Sequence, residues 1–217
     1  MAAAGESALR AELARTARRL YDRGLTTALD GNLSVRLDSR SFLITPSGLD
    51  KASLRPDAML RIDGAGRVLE GAGKPSMETP MHLAVYEERP EVRAVIHAHP
   101  PTVIAFTLTG VPLTAGCLPE AMLAFGEIAV ARYEPPGSAE LADAVREPVR
   151  GHDAVLLERH GALAAGRDLF EAFVRMERLE FVAQVTLRAR LLGQLKPLTP
   201  VEASRILDLR ERLFGRS

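Results

Sequence analysis

The stretch Arg93-Ala-Val-Ile-His-Ala-His-Pro-Pro101 is an apolar, β-prone run that closes on two imidazoles and is cut by two prolines. Such a run reads as a buried strand, and prolines, which supply no N–H, end it at the rim of a sheet where ligands gather. Side chains alternate along a strand, so His97 and His99 project from one face, a geometry that suits a shared metal ion. A second apolar run, Asp153-Ala-Val-Leu-Leu-Glu158, leads into a tight His160-Gly161 turn, and His160 can complete a three-nitrogen set. Three protein ligands and one open position describe a catalytic zinc-type site better than a closed structural one. The same spacing also fits a partly buried pair of imidazoles hydrogen-bonded to backbone.

Immediately upstream, Ser76 reads as the N-cap of a helix running to about Glu88, with Met81, Ala84 and Val85 on one face and Pro90 as its stop. Glu78 on its first turn is the leading carboxylate. Beside a dication it can act as ligand and then as general base; alone it would complement the positive end of its own helix. His82, four residues on, either pairs with Glu78 as a two-ligand site or sits in the core bonded to backbone. His152, in a Gly151-His152-Asp153 turn, reads as a surface residue.

Further out, Leu9, Leu13, Ala17 and Leu20 mark an amphipathic helix from Ser7 to Arg23. Short strands follow, Leu33 to Leu37 and Ser41 to Thr45, with turns at Pro46-Ser47-Gly48 and Asp63-Gly-Ala-Gly66. Beyond the histidine strand come a short helix over Thr102 to Leu108, a strand over Glu127 to Arg132 and a helix capped by Ser138. A long helix from Asp168 to about Gly193 has Phe173, Val174, Phe181 and Val185 as buried candidates, and Thr199-Pro-Val-Glu202 opens a last helix. No repeat or linker divides the chain, so residues 1–217 read as one mixed α/β domain with an antiparallel or mixed sheet.

Three polar turns, Asp30-Gly31-Asn32-Leu33-Ser34, Thr45-Pro46-Ser47-Gly48 and Gly73-Lys74-Pro75-Ser76, can each present N–H groups to an anion, although separately each is an ordinary turn. The 28 basic and 28 acidic residues cancel without forming blocks, which speaks against nucleic acid and anionic membranes and for a small-molecule partner. No stretch is apolar enough to span a bilayer and the N-terminus lacks leader character, so a cytoplasmic location is expected. The single Cys117, in a Leu/Ala/Gly-rich stretch without an adjacent base, reads as a small buried hydrophobe.

Taken in order, Gly31-Asn32-x-Ser34, Thr45-Pro46-Ser47-Gly48, Pro75-Ser76-x-Glu78, His97-x-His99-Pro100 and Arg159-His160-Gly161 resemble the class II aldolase/adducin family over about Leu13 to Gly193. The resemblance implies a three-layer α/β/α fold with a mostly antiparallel sheet. It implies zinc or a similar divalent metal on His97, His99 and His160, with Glu78 as fourth ligand and then acid/base, and phosphate contacts at Gly31, Asn32, Ser47, Gly48 and Ser76. The implied reaction is cleavage of a short (deoxy)ketose 1-phosphate, of the fuculose-1-phosphate kind, into dihydroxyacetone phosphate and an aldehyde. Homotetramers with sites near subunit boundaries are implied as well. Other members use such a site as dehydratases, decarboxylases or 4-epimerases of sugar phosphates, and adducin-like members serve as interaction modules without metal chemistry. Two departures stand out. Met77 replaces a second serine before the glutamate, and no tyrosine lies between Pro112 and Tyr133, where aldolases of the family carry a proton donor; Glu120 is the candidate acid in that region.

Overall fold

In the computed structural model, which describes residues 2–215, the histidine run forms β5 (Ala94–Ala98), buried along its whole length. It lies fifth in an eight-stranded sheet of order β4-β3-β2-β1-β5-β8-β7-β6. The other strands are β1 (Asn32–Arg36), β2 (Ser41–Ile44), β3 (Leu60–Asp63), β4 (Val68–Glu70), β6 (Ala129–Ala131), β7 (Ala154–Leu157) and β8 (Gly161–Gly166). All neighbours pair antiparallel except β6 with β7. Tight turns impose this: Asp63 accepts the N–H groups of Ala65 and Arg67 and folds β3 back onto β4, an edge hairpin of which the sequence disclosed only the turn.

The helices are α1 (Ala2–Asp22), α2 (Thr79–Glu88), α3 (Pro101–Thr109), α4 (Pro119–Phe125), α5 (Ala139–Gly151), α6 (Leu169–Leu192) and α7 (Pro200–Phe214). One core, with Leu13, Ile96, Val103 and Phe173, packs α1, α3, α4 and α6 on one sheet face. The other, with Ile62, Val85, Val95, Val145 and Leu163, packs α2 and α5 on the opposite face. A sheet buried on both sides gives the three-layer α/β/α arrangement that the resemblance implied.

Several local expectations need correction. The helix after Ser76 begins at Thr79, with Glu78 as its N-cap residue. Ser76 instead accepts the Glu78 N–H in a turn ahead of the helix, and Pro80 fits the first helical turn because it needs no N–H partner there. Phe181 is exposed, because eight residues beyond Phe173 it has turned roughly 80° off the buried stripe of α6. The stripe carries Glu180 instead, whose buried carboxylate accepts the N–H groups of Thr102 and Val103 and caps α3 directly after the histidine strand. Val185 and Cys117 are only half-buried. His152 is half-buried rather than a free surface residue: it ends α5, its ring facing the Pro148 carbonyl.

Candidate metal centre

His97 stands in β5 opposite Asn32 of β1 and Leu163 of β8, on the face that carries Val95 and looks toward α2. His99 lies just past the strand, held where its N–H meets the Leu25 carbonyl at 2.9 Å. His160 comes from the turn that joins Leu157 to Gly161. Two features force that turn against β5. Arg159 adopts the left-handed φ of 58°, its N–H held by the Thr107 hydroxyl at 3.1 Å. A Cβ at Gly161 would come within 2.4 Å of the Ala98 carbonyl oxygen, so only glycine permits the approach.

The three rings meet edge to face, their centroids 4.7, 4.8 and 5.1 Å apart, and their ligand nitrogens lie within 4.8 Å of one another. The Glu78 carboxylate closes the fourth side, with Oε2 3.1 Å from His97 Nε2 and Oε1 3.0 Å from His160 Nε2. His97 Nδ1 faces the Ala162 carbonyl at 3.0 Å. An N–H there leaves the Nε2 lone pair pointing inward, toward His99 Nε2 at 2.9 Å. Acceptors this close repel one another unless protons or a cation lie among them, and Glu78 Oε1 finds no hydrogen-bond partner among the described residues. Three imidazoles and a carboxylate are a donor set that zinc and similar dications take, so the residues fit a divalent metal.

The electrostatics agree. Burial pushes the His99 imidazole down to about 4, and the neighbouring His97 and His160 rings add to the effect, so the ring is a free base at neutral pH. For Glu78 burial opposes ionisation, yet the neighbouring His97 and His160 rings and the Asn32 amide outweigh it and hold the carboxyl well below the usual carboxylate range. His82 is a core residue, as one of its two readings held, but its partners are the side chains of Ser34 and Asn32 rather than backbone.

The three polar turns converge. Ser47 N–H donates to the Lys74 carbonyl at 2.9 Å and Pro46 bridges Pro75, so the second and third turns are joined. Lys51 ties the first to the second: its backbone N–H meets the Ala28 carbonyl at 2.8 Å, and its buried ammonium meets the carbonyls of Leu29 and Leu49 at 3.4 and 3.0 Å. Sequence reasoning missed Lys51, since one lysine after a turn ordinarily points to water. Gly31, Ser47, Gly48 and Ser76 remain at least partly exposed on this surface. The Asn32 amide is committed inward to Glu78 and His82. Met77 is exposed beside the Gly137 turn. Glu120 is not brought into the cluster: it lies exposed on the first turn of α4 and makes no hydrogen bond or ion pair among the described residues.

Comparison with known proteins places this geometry. The profile of the Class II Aldolase and Adducin N-terminal domain matches residues 11–187. The chain is 36% identical over 201 residues to the 5-methylthioribulose-1-phosphate/5-deoxyribulose-1-phosphate aldolase of Rhodospirillum rubrum, covering 93% of this chain and 90% of that one. It is 32% identical over 209 residues to the 3-oxo-tetronate 4-phosphate decarboxylase of Escherichia coli, covering 94% and 96%. A solved L-fuculose 1-phosphate aldolase superposes with a TM-score of 0.85 at 32% identity, over 93% of this chain and 95% of its own.

Proposed function

We infer the activity from one premise: the chain belongs to the class II aldolase and adducin N-terminal domain family. It is an enzyme of that family, and we propose that as a single cytoplasmic domain it cleaves a short (deoxy)ketose 1-phosphate into dihydroxyacetone phosphate and an aldehyde. The observation that carries this reading is the Glu78 carboxylate set across His97 and His160 with His99 beside them.

In this reading His97, His99, His160 and Glu78 hold zinc or a related divalent transition metal. A metal bound there would supply a Lewis acid for the substrate carbonyl and for the negative charge left by carbon–carbon cleavage. Glu78 then exchanges a proton with the substrate, a role suited to a carboxylate that reaches the centre through one fixed oxygen and one unpartnered oxygen. The substrate phosphate meets the N–H groups at Gly31 and Gly48 and the hydroxyls of Ser47 and Ser76, with Asn32 contributing backbone alone because its amide is engaged.

A second reading, decarboxylation of a phosphorylated keto acid, draws on the relative of that name at 32% identity and on Met77, which supplies no hydroxyl where the aldolases have a second serine. Both reactions leave an electron pair beside a polarised carbonyl, so one centre serves either.

The test is a panel of ketose 1-phosphates and 3-oxo acid phosphates, assayed for dihydroxyacetone phosphate and for carbon dioxide with and without chelator. Chelator-sensitive release of dihydroxyacetone phosphate is expected, with Glu78→Gln lowering turnover by roughly 100-fold or more. Carbon dioxide alone would establish the decarboxylase reading. Activity indifferent to chelator would remove both.

A further inference from the structure

Behind the centre, α2 and β1 exchange side chains in strict alternation. Glu78, His82 and Tyr86 recur every fourth residue from the N-cap of α2 into the helix, while Asn32 and Ser34 are alternate residues of β1. Four helical residues rise about 6 Å and two strand residues about 6.6 Å, so a helix lying along a strand keeps such rows in step. The contacts follow: Asn32 Nδ2 to Glu78 Oε2 at 2.7 Å, His82 Nε2 to Asn32 Oδ1 at 2.6 Å, Ser34 Oγ to His82 Nδ1 at 2.7 Å and Ser34 Oγ to Tyr86 OH at 2.8 Å. All five side chains are buried.

The donor sense of the whole row is fixed from its end. An ionised carboxylate only accepts, so Asn32 donates through Nδ2 and must accept through Oδ1. His82 therefore carries its proton on Nε2, its Nδ1 accepts from the Ser34 hydroxyl, and Ser34 accepts from Tyr86. His82 is buried, and both of its ring nitrogens are taken up in this order, one by Asn32 and the other by Ser34.

We propose that His82 and Asn32 are positioning residues for the metal centre: the Tyr86–Ser34–His82–Asn32 row locks Glu78 Oε2 in place and leaves Oε1 as the one carboxylate oxygen free to face metal and substrate. An apolar row would fill the same space without burying polar atoms, and only a row with one donor direction holds a carboxylate against rotation. The absence of a partner for Oε1, beside the full engagement of Oε2, is the asymmetry that this produces. The proposal rests on the metal-site reading above.

Two near-isosteres separate the ring nitrogens. His82→Gln can set an amide N–H where Nε2–H stands and keep the bond to Asn32, whereas His82→Asn reaches only the Nδ1 position and keeps the bond to Ser34. Zinc affinity of the purified chain, measured by chelator competition, is expected to fall roughly 10- to 100-fold in His82→Asn and to stay near wild type in His82→Gln. With an active substrate, kcat falls and KM holds in His82→Asn. Asn32→Ala loses as much affinity as the Asn variant, and combining Asn32→Ala with His82→Asn adds nothing, since both cut one chain. Equal behaviour of the Gln and Asn variants at matched melting temperature overturns the proposal, as does additive loss in the double variant. A wild-type chain that binds no zinc removes the metal-site reading itself and the proposal with it. Zinc binding indifferent to all three substitutions removes the proposal alone.

Discussion

An imidazole ligates metal only as its free base, and this fold enforces that state through burial and crowding. His99 is brought down to about 4 and His82 to about 3, both from an ordinary 6.5. With folded values below unfolded ones, the unfolded chain binds more protons as pH drops, so both residues contribute stability above about pH 6.5 that is lost on acidification toward 4 and 3. The metal-free protein should therefore show its highest melting temperature above neutrality and a steady decline between about pH 6.5 and 4, read by circular dichroism; a flat profile over that range would contradict the buried neutral assignments. The histidines were legible in sequence because their spacing is local: His97-x-His99 declares itself on any strand, and His160-Gly161 declares a turn. The Asn32–His82 bond spans residues fifty apart in the chain. No local pattern encodes such a partner, so His82 could be read as buried but not as bonded to Asn32.

Between elements, Lys51 does what no single turn can. Its ammonium, buried between the carbonyls of Leu29 and Leu49, staples the turn before β1 to the turn after β2, and burial lowers its pKa against the opposing pull of Asp30 and Asp50. Replacing it with methionine keeps the apolar stem and removes the staple, leaving two carbonyls short of a donor. Lys51→Met is expected to cost about 1–3 kcal/mol in urea unfolding and to raise KM for a phosphorylated substrate and the inhibition constant of inorganic phosphate together. Unchanged phosphate inhibition would show that the turns do not form one cradle. Each turn was readable from its glycine and proline, but their convergence depends on the register of β1, β2 and β5 and on the Pro46–Pro75 bridge, all of them long-range. The start of α2 was misplaced for a related reason: Ser76 has the chemistry of a cap, and the backbone spends its hydroxyl on Glu78 two residues on.

At the scale of the molecule, the α/β/α layering follows from patterns that sequence displays: strands apolar along their whole length ask for cover on both faces, and helices with one apolar stripe supply it. One helix departs from this economy. α7 has a complete capping box at Thr199 and Glu202 but buries no side chain, and it packs chiefly against the short α4. Val201, Leu207, Leu213 and Phe214 stand exposed on it, and Leu191 and Leu192 stand exposed at the end of α6. A helix of 15 residues is marginal on its own in water, so its stability asks for a partner surface beyond what α4 offers. With equal numbers of acidic and basic residues, no net repulsion keeps copies of the chain apart. We expect light scattering to show four copies at micromolar concentration, the homotetramer that the family resemblance implies. The paired substitutions Leu213→Glu and Phe214→Glu should then yield a smaller species with unchanged far-ultraviolet circular dichroism, because neither side chain supports the core of its own chain. A wild-type monomer would refute the assembly, and a tetramer that survives both charges would move its interface away from α7.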